Sequence, residues 1–116
     1  MYNQMVVENV LSKRRTDRVL HALADATRRD IVATVLVKEH SVSALARQYP
    51  MSFAAVQKHV AVLERCGLVS KHRRGRESLV HGVIDQVRDA QRALDDLEQL
   101  WRHRVAQMDQ ILAEDC

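Results

Sequence analysis

Apolar residues recur at helical spacing along most of the chain, and the places where that spacing breaks divide it into elements. Over residues 3–14, Met5, Val6, Val10 and Leu11 gather on one side of a short helix that needs a packing partner to be ordered. A second helix is predicted for TDRVLHALAD, with Val19, Leu20 and Leu23 as its stripe and Asp17 in the first turn. Asp25 is positioned to cap a third, ATRRDIVATVLVK, whose core side is Ile31, Val32, Val35 and Leu36. Arg28 and Arg29 fall in its first turn, where the helix dipole disfavours cations, so packing or an anionic partner, such as a carboxylate of a neighbouring chain or a DNA phosphate, must outweigh that preference. Residues 40–42 are β-compatible and predict a short strand, after which Ser43 would cap a helix over 43–48.

Pro50 disfavours helical geometry at Tyr49 and separates that short helix from the segment 52–67, SFAAVQKHVAVLERCG. Ser52 can cap this helix at its start and Gly67 can close it with a left-handed residue. Val56, Val60 and Leu63 form a core stripe, while Phe53, Gln57, Lys58 and Arg65 fall largely elsewhere. The next stretch, LVSKHRRGRESLVHGV, has two β-prone arms around Arg74, Gly75 and Arg76, a hairpin with a basic tip. Leu79, His81 and Val83 alternate with Ser78, Val80 and Gly82, so His81 reads as a half-buried strand residue. Helix, turn, helix and basic hairpin together predict a DNA-binding arrangement.

From Ile84 onward neither Gly nor Pro interrupts the pattern. Val87, Ala90, Leu94, Leu97, Trp101, Arg104, Met108 and Ile111 follow a seven-residue repeat, widened by Leu100, Val105 and Leu112. Such a helix needs a partner helix, and the same helix of a second chain is the simplest one. The predicted fold is mainly α with a small β-wing. It is a winged helix-turn-helix with a two-stranded hairpin, three-stranded if residues 40–42 join, and a long C-terminal dimerisation helix. Residues 1–116 form one domain, divided into an N-terminal helical dimerisation region at 1–24, a helix-turn-helix at 43–67, a wing at 68–83 and a dimerisation helix at 84–113.

Charge sharpens this division. Residues 1–84 hold 14 Lys/Arg against 7 Asp/Glu, whereas 85–116 hold 4 against 8, so a basic body carries an acidic tail. A polyanion is met by the first part. Aromatics make up only 3% of the chain, which suits helices packed through aliphatic side chains. Cys66 and Cys116 show no paired spacing, and no apolar run approaches the roughly 18–20 residues of a membrane span. A cytoplasmic protein with no membrane partner is expected. There is no Gly-rich phosphate loop, HExxH motif or nucleophile elbow, so no enzyme is predicted.

The ordered set ALADATRRDIV and SVSALARQYPMSFAAVQKHVAVLERCGLVSKHRRGRESLVHGV resembles the ArsR-type winged-helix transcriptional regulators, over about residues 20–83. The resemblance implies a homodimer joined through its first and last helices, bound to an imperfect palindromic operator of double-stranded DNA and usually repressing transcription. It assigns base reading to Ser52, Phe53, Gln57 and Lys58, with His59 at the margin, and backbone contacts to the wing, where Arg73, Arg74 and Arg76 cluster. Gln57 can pair bidentately with adenine, Lys58 can reach guanine or phosphate, and Phe53 can meet a thymine methyl or close the turn. The dimer seam falls on Val87, Leu94, Leu97, Trp101, Met108 and Ile111.

Metal-sensing members carry Cys-x-Cys on the positioning helix or Asp and His on the last helix. Here the positioning segment reads SVSALA, and the last helix has only His103. The remaining histidines are scattered over different elements, so neither metal nor other cofactor is expected. A buried, inert Cys66 is the stronger reading against an oxidant sensor, because a helix C-terminus does not favour a thiolate. The leading function is a dimeric, sequence-specific repressor that occludes a promoter. A non-specific nucleoid-type protein and a protein-interaction module are the alternatives, and the effector is not legible.

Overall fold

The structure, a computed structural model, describes residues 4–114. In chain order these form helices α1 (Gln4–Leu23) and α2 (Ala26–Val37), strand β1 (His40–Ser41), helices α3 (Val42–Ala46) and α4 (Phe53–Arg65), strands β2 (Val69–Arg74) and β3 (Glu77–Gly82), and helix α5 (Ile84–Glu114). Cys116, the residues before Gln4 and the side chains of Gln4 and Met5 lie outside the described part.

Short polar side chains start three of the helices. Asp25 accepts from the amide of Arg28 at 3.0 Å, Ser41 from that of Ala44 at 3.0 Å and Ser52 from that of Ala55 at 3.1 Å. The Arg28 amide holds the Asp25 carboxyl below its ordinary range. The cap of α3 is therefore Ser41 and not Ser43. Starting the helix at Val42 puts Val42 and Leu45, three positions apart, on the buried face.

For the first forty residues one expectation is corrected and an open one gains an answer within the chain. The segments before and after the basic run Lys13, Arg14 and Arg15 are one continuous α1, since no Gly or Pro lies between them and the run is solvated on its exposed side. Arg28 and Arg29 each find acceptors within the chain. The Arg28 Nε donates to the carbonyl of Ala22 at 2.7 Å, and an Arg29 guanidinium N–H donates to that of Leu23 at 2.7 Å. Both arginines thus cap the negative C-terminal end of α1, which offsets their cost at the start of α2.

The core lies where α1, α2, α3 and α4 meet one face of the sheet. Val19, Ile31, Leu45, Val56, Val60, Leu63, Leu68 and Val80 are its fully buried large side chains. The sheet order is β1-β3-β2, all antiparallel, so residues 40–41 do add a third strand. The two-residue turn carries Gly75 at φ +63° as its first central residue, the geometry that tight hairpins require. Gly67 closes α4 at φ +78°.

α1 packs along the start of α5. Ala90 is the buried residue of α5 among those described, and its first-turn neighbour Val87 is half-buried against the same core. Val87, expected on the dimer seam, thus also packs against its own chain's core. Beyond that point the helix leaves the body, giving extents of 71 × 43 × 21 Å and a radius of gyration of 19.8 Å. A compact domain of this length would have about 13 Å. Among the described residues no helix is long and apolar enough to cross a membrane.

The turn before α4 is tied to α2 by the Tyr49 hydroxyl, which donates to Asp30 Oδ2 at 2.6 Å. Burial, then this bond, pushes the Tyr49 hydroxyl up to about 12. An unfolded tyrosine ionises near about 10, so the bond's contribution is complete below that pH and is lost as pH rises towards 12. Tyr49→Phe is expected to cost about 1 kcal/mol near neutrality. Its urea midpoint should also fall less between pH 9 and 11.5, roughly the window of that ionisation; an equal fall in both proteins would contradict this role.

Candidate nucleic-acid interface

The 3.6-residue period of α4 sorts its side chains into three directions. Val56, Val60 and Leu63 are buried, whereas Ser52, Phe53, Gln57 and Lys58 are exposed around its first turns. Phe53 is 46% exposed, so about half of its ring is covered and the rest is open at the surface. The Ser52 hydroxyl accepts the Ala55 amide, which leaves its proton free to donate outward.

Strand alternation sorts the wing in the same way. Lys71 and Arg73 point to the α4 side of the hairpin, and with Arg76 they line a groove whose opposite wall is Phe53 and Gln57. Three cations meet one carboxylate there, that of Glu77. Arg74 is exposed on the opposite face of β2, reaching outward from the tip. Lys71 was not among the expected site residues; its position two before Arg73 on a strand was the available signal.

His59, expected at the margin of the reading surface, sits on another side of α4. It lies about 160° round the helix from Gln57. Its half-buried ring meets the Arg28 guanidinium, Nδ1 to Nη1, at 3.3 Å. It braces α4 against the α1–α2 junction instead of facing the groove. Nearby, the Cys66 Sγ lies 3.4 Å from the carbonyl of Val62, and burial pushes its thiol up, so the reactive thiolate is disfavoured.

No family model matches the chain. The HTH-type transcriptional regulator Rv2034 of Mycobacterium tuberculosis is 45% identical over 56 residues, 48% of this chain and 52% of that protein. The chain thus spans about half the length of that curated relative. Among solved structures, a possible ArsR-family regulator from Mycobacterium bovis, described as a homodimeric winged helix-turn-helix DNA-binding domain, has a TM-score of 0.65 at 25% identity, covering 89% of this chain and 91% of that one. An ArsR-like transcriptional regulator from Rhodococcus sp. RHA1 has a TM-score of 0.73 at 31% identity, covering 85% of this chain and 93% of that one. This chain belongs to the ArsR family.

Away from the groove, this ArsR-family chain exposes two apolar faces. Val6, Val7, Val10 and Leu11 of α1 are 43–54% exposed, and Leu94, Leu97, Trp101, Met108 and Ile111 of α5 are 55–65% exposed. Such a contiguous stripe is characteristic of an interaction surface.

The histidines are also less scattered than their positions in the chain suggest. Glu39, His72 and His81 each bring a ligand atom within 4.8 Å of the others. The expectation of no convergence is corrected for this trio, because β2 and β3 pair a residue of one arm with a distant one of the other.

Proposed function

We propose that the chain is a homodimeric, sequence-specific DNA-binding regulator that represses transcription by occluding a promoter at a palindromic operator. The observation that carries this reading is the groove between α4 and the wing, where Phe53 and Gln57 face Lys71, Arg73 and Arg76. Gln57 supplies the paired donor and acceptor that adenine needs in the major groove, while Lys58 and the wing cations meet phosphates. One such groove covers a half-site. The apolar faces of α1 and α5 would join two chains about a two-fold axis, bringing two α4 helices into successive major grooves about 34 Å apart. The homodimeric state of the Mycobacterium bovis relative supports that pairing.

Selection of bound sequences from a random DNA pool tests the reading, with two inverted half-sites about 10 base pairs apart as the expected outcome. On the selected site, Gln57→Ala should lose about 1–3 kcal/mol of discrimination at one base position. Arg73→Ala with Arg76→Ala should weaken every sequence alike and flatten the salt dependence by about 0.9 log units for each phosphate no longer neutralised. Equal binding to competitor DNA would favour a non-specific nucleoid-type role. Binding indifferent to all three substitutions would reject the groove.

A further inference from the structure

We propose that Glu39, His72 and His81 form a binding site for one divalent late transition-metal ion of the zinc class on the outer face of the wing. The three residues come from the α2–β1 connection, β2 and β3, and belong to neither the recognition groove nor the apolar faces. Pairing of Ser70 with His81 and of His72 with Leu79 sets both imidazoles on the face opposite Lys71 and Val80. Pairing of His40 with Val80 and Ser41 with Leu79 carries Glu39 to the same face, beside His81.

The distances suit an ion. Glu39 Oε2 lies 3.5 Å from His72 Nε2 and 3.8 Å from His81 Nδ1. Tetrahedral ligands at zinc bond lengths stand about 3.4 Å apart, so small side-chain rotations close the site. The imidazole rings are tilted by 56° with centroids 5.7 Å apart, not stacked. Two nitrogens and one carboxylate are the donor set of zinc sites that hold a fourth, solvent ligand, and the side chains are 33–44% exposed, open to an entering ion. Calcium and magnesium would want more oxygen, and Cu(I) would want sulfur. Ladder hydrogen bonds fix both histidine backbones, so the ordering left for the ion to impose falls on Glu39 and the side chains.

The test uses the whole 116-residue chain, stripped with a chelator and free of DNA, so its outcome is independent of the proposed operator binding. Zn(II) is titrated against a chromophoric chelator, Co(II) is followed by its visible absorption, and the histidine ring resonances are followed by NMR. One ion per chain is expected, with the resonances of His72 and His81 moving and that of His103 unmoved. His72→Ala, His81→Ala and Glu39→Gln should each weaken binding by at least about 10-fold, the smallest loss typical even of outer-shell partners. His103→Ala should leave it unchanged. Should an alanine variant lose its helical circular dichroism, the wild-type ring resonances decide. An absence of Zn(II) binding at micromolar concentration would overturn the proposal, as would stoichiometric binding that leaves both rings unperturbed.

Discussion

Leu97→Glu combined with Trp101→Glu is expected to yield a monomer and to lower DNA affinity by at least about 100-fold, since each buried interface anchor typically contributes about 2 kcal/mol or more. Within one chain both side chains lie in water, at 65% and 64% exposure, so the substitutions remove nothing from the core. The far-ultraviolet circular dichroism should therefore be unchanged. On the proposed pairing, four carboxylates would instead be brought together between two chains, at a desolvation cost that the apolar residues they replace do not carry. Light scattering gives the mass directly, and a variant that keeps the mass of two chains would sink the α5 pairing. A monomer that keeps full affinity for the selected operator would sink the paired-helix mechanism while leaving the winged helix intact.

The second large effect concerns Gly82, where β3 meets α2. A Cβ there would stand 2.6 Å from Leu36 Cδ2, 2.7 Å from its Cγ and 2.9 Å from its Cα. The side chain could turn away, but the helix backbone behind it could not without moving α2 off the sheet. Gly82→Ala is expected to destabilise the chain by about 3 kcal/mol, at the upper end of overpacking costs. Urea denaturation measures this directly. Adding Leu36→Ala should restore only part of the loss, because the α2 backbone at that position still stands in the way. The contrast is Gly75, where a Cβ meets nothing within 4 Å and only the φ of +63° is strained, so its alanine variant should cost about 1–2 kcal/mol. An effect at Gly82 no larger than that at Gly75 would show that α2 yields to the added Cβ at little cost.

The features legible in the sequence are those with local causes. Ser52 and Gly67 bound the recognition helix because a cap hydroxyl and a left-handed glycine act within a few residues of their own position. The hairpin is legible from Gly75, and the length of α5 from the lack of any breaker after Ile84. What escapes depends on residues far apart in the chain. Ser41 wins over Ser43 as a cap because Val42 and Leu45 must reach a core built by other elements. Arg28 and Arg29 look misplaced until the end of α1 stands beside them. His59 shares a helix with Gln57, yet Arg28 claims it from the other side. Glu39, His72 and His81 have no common spacing, and only the strand register unites them. Gly82 looks like an ordinary strand residue because its neighbour, Leu36, belongs to another element.

The sheet order has a further consequence for folding. β1 precedes the helix-turn-helix and its partner β3 follows the wing turn, so His40 meets Val80 only after the recognition helix and β2 have been enclosed as one loop. Closing some 40 residues of chain costs about 3 kcal/mol of entropy, whereas the wing hairpin closes across two residues. Two residues of β1 repay that cost with few hydrogen bonds of their own, so the packing of α3 and α4 into the core must hold the ends together. Local opening should therefore release β1 before the hairpin. Through that release the α2–β1 connection can move while the wing keeps its shape.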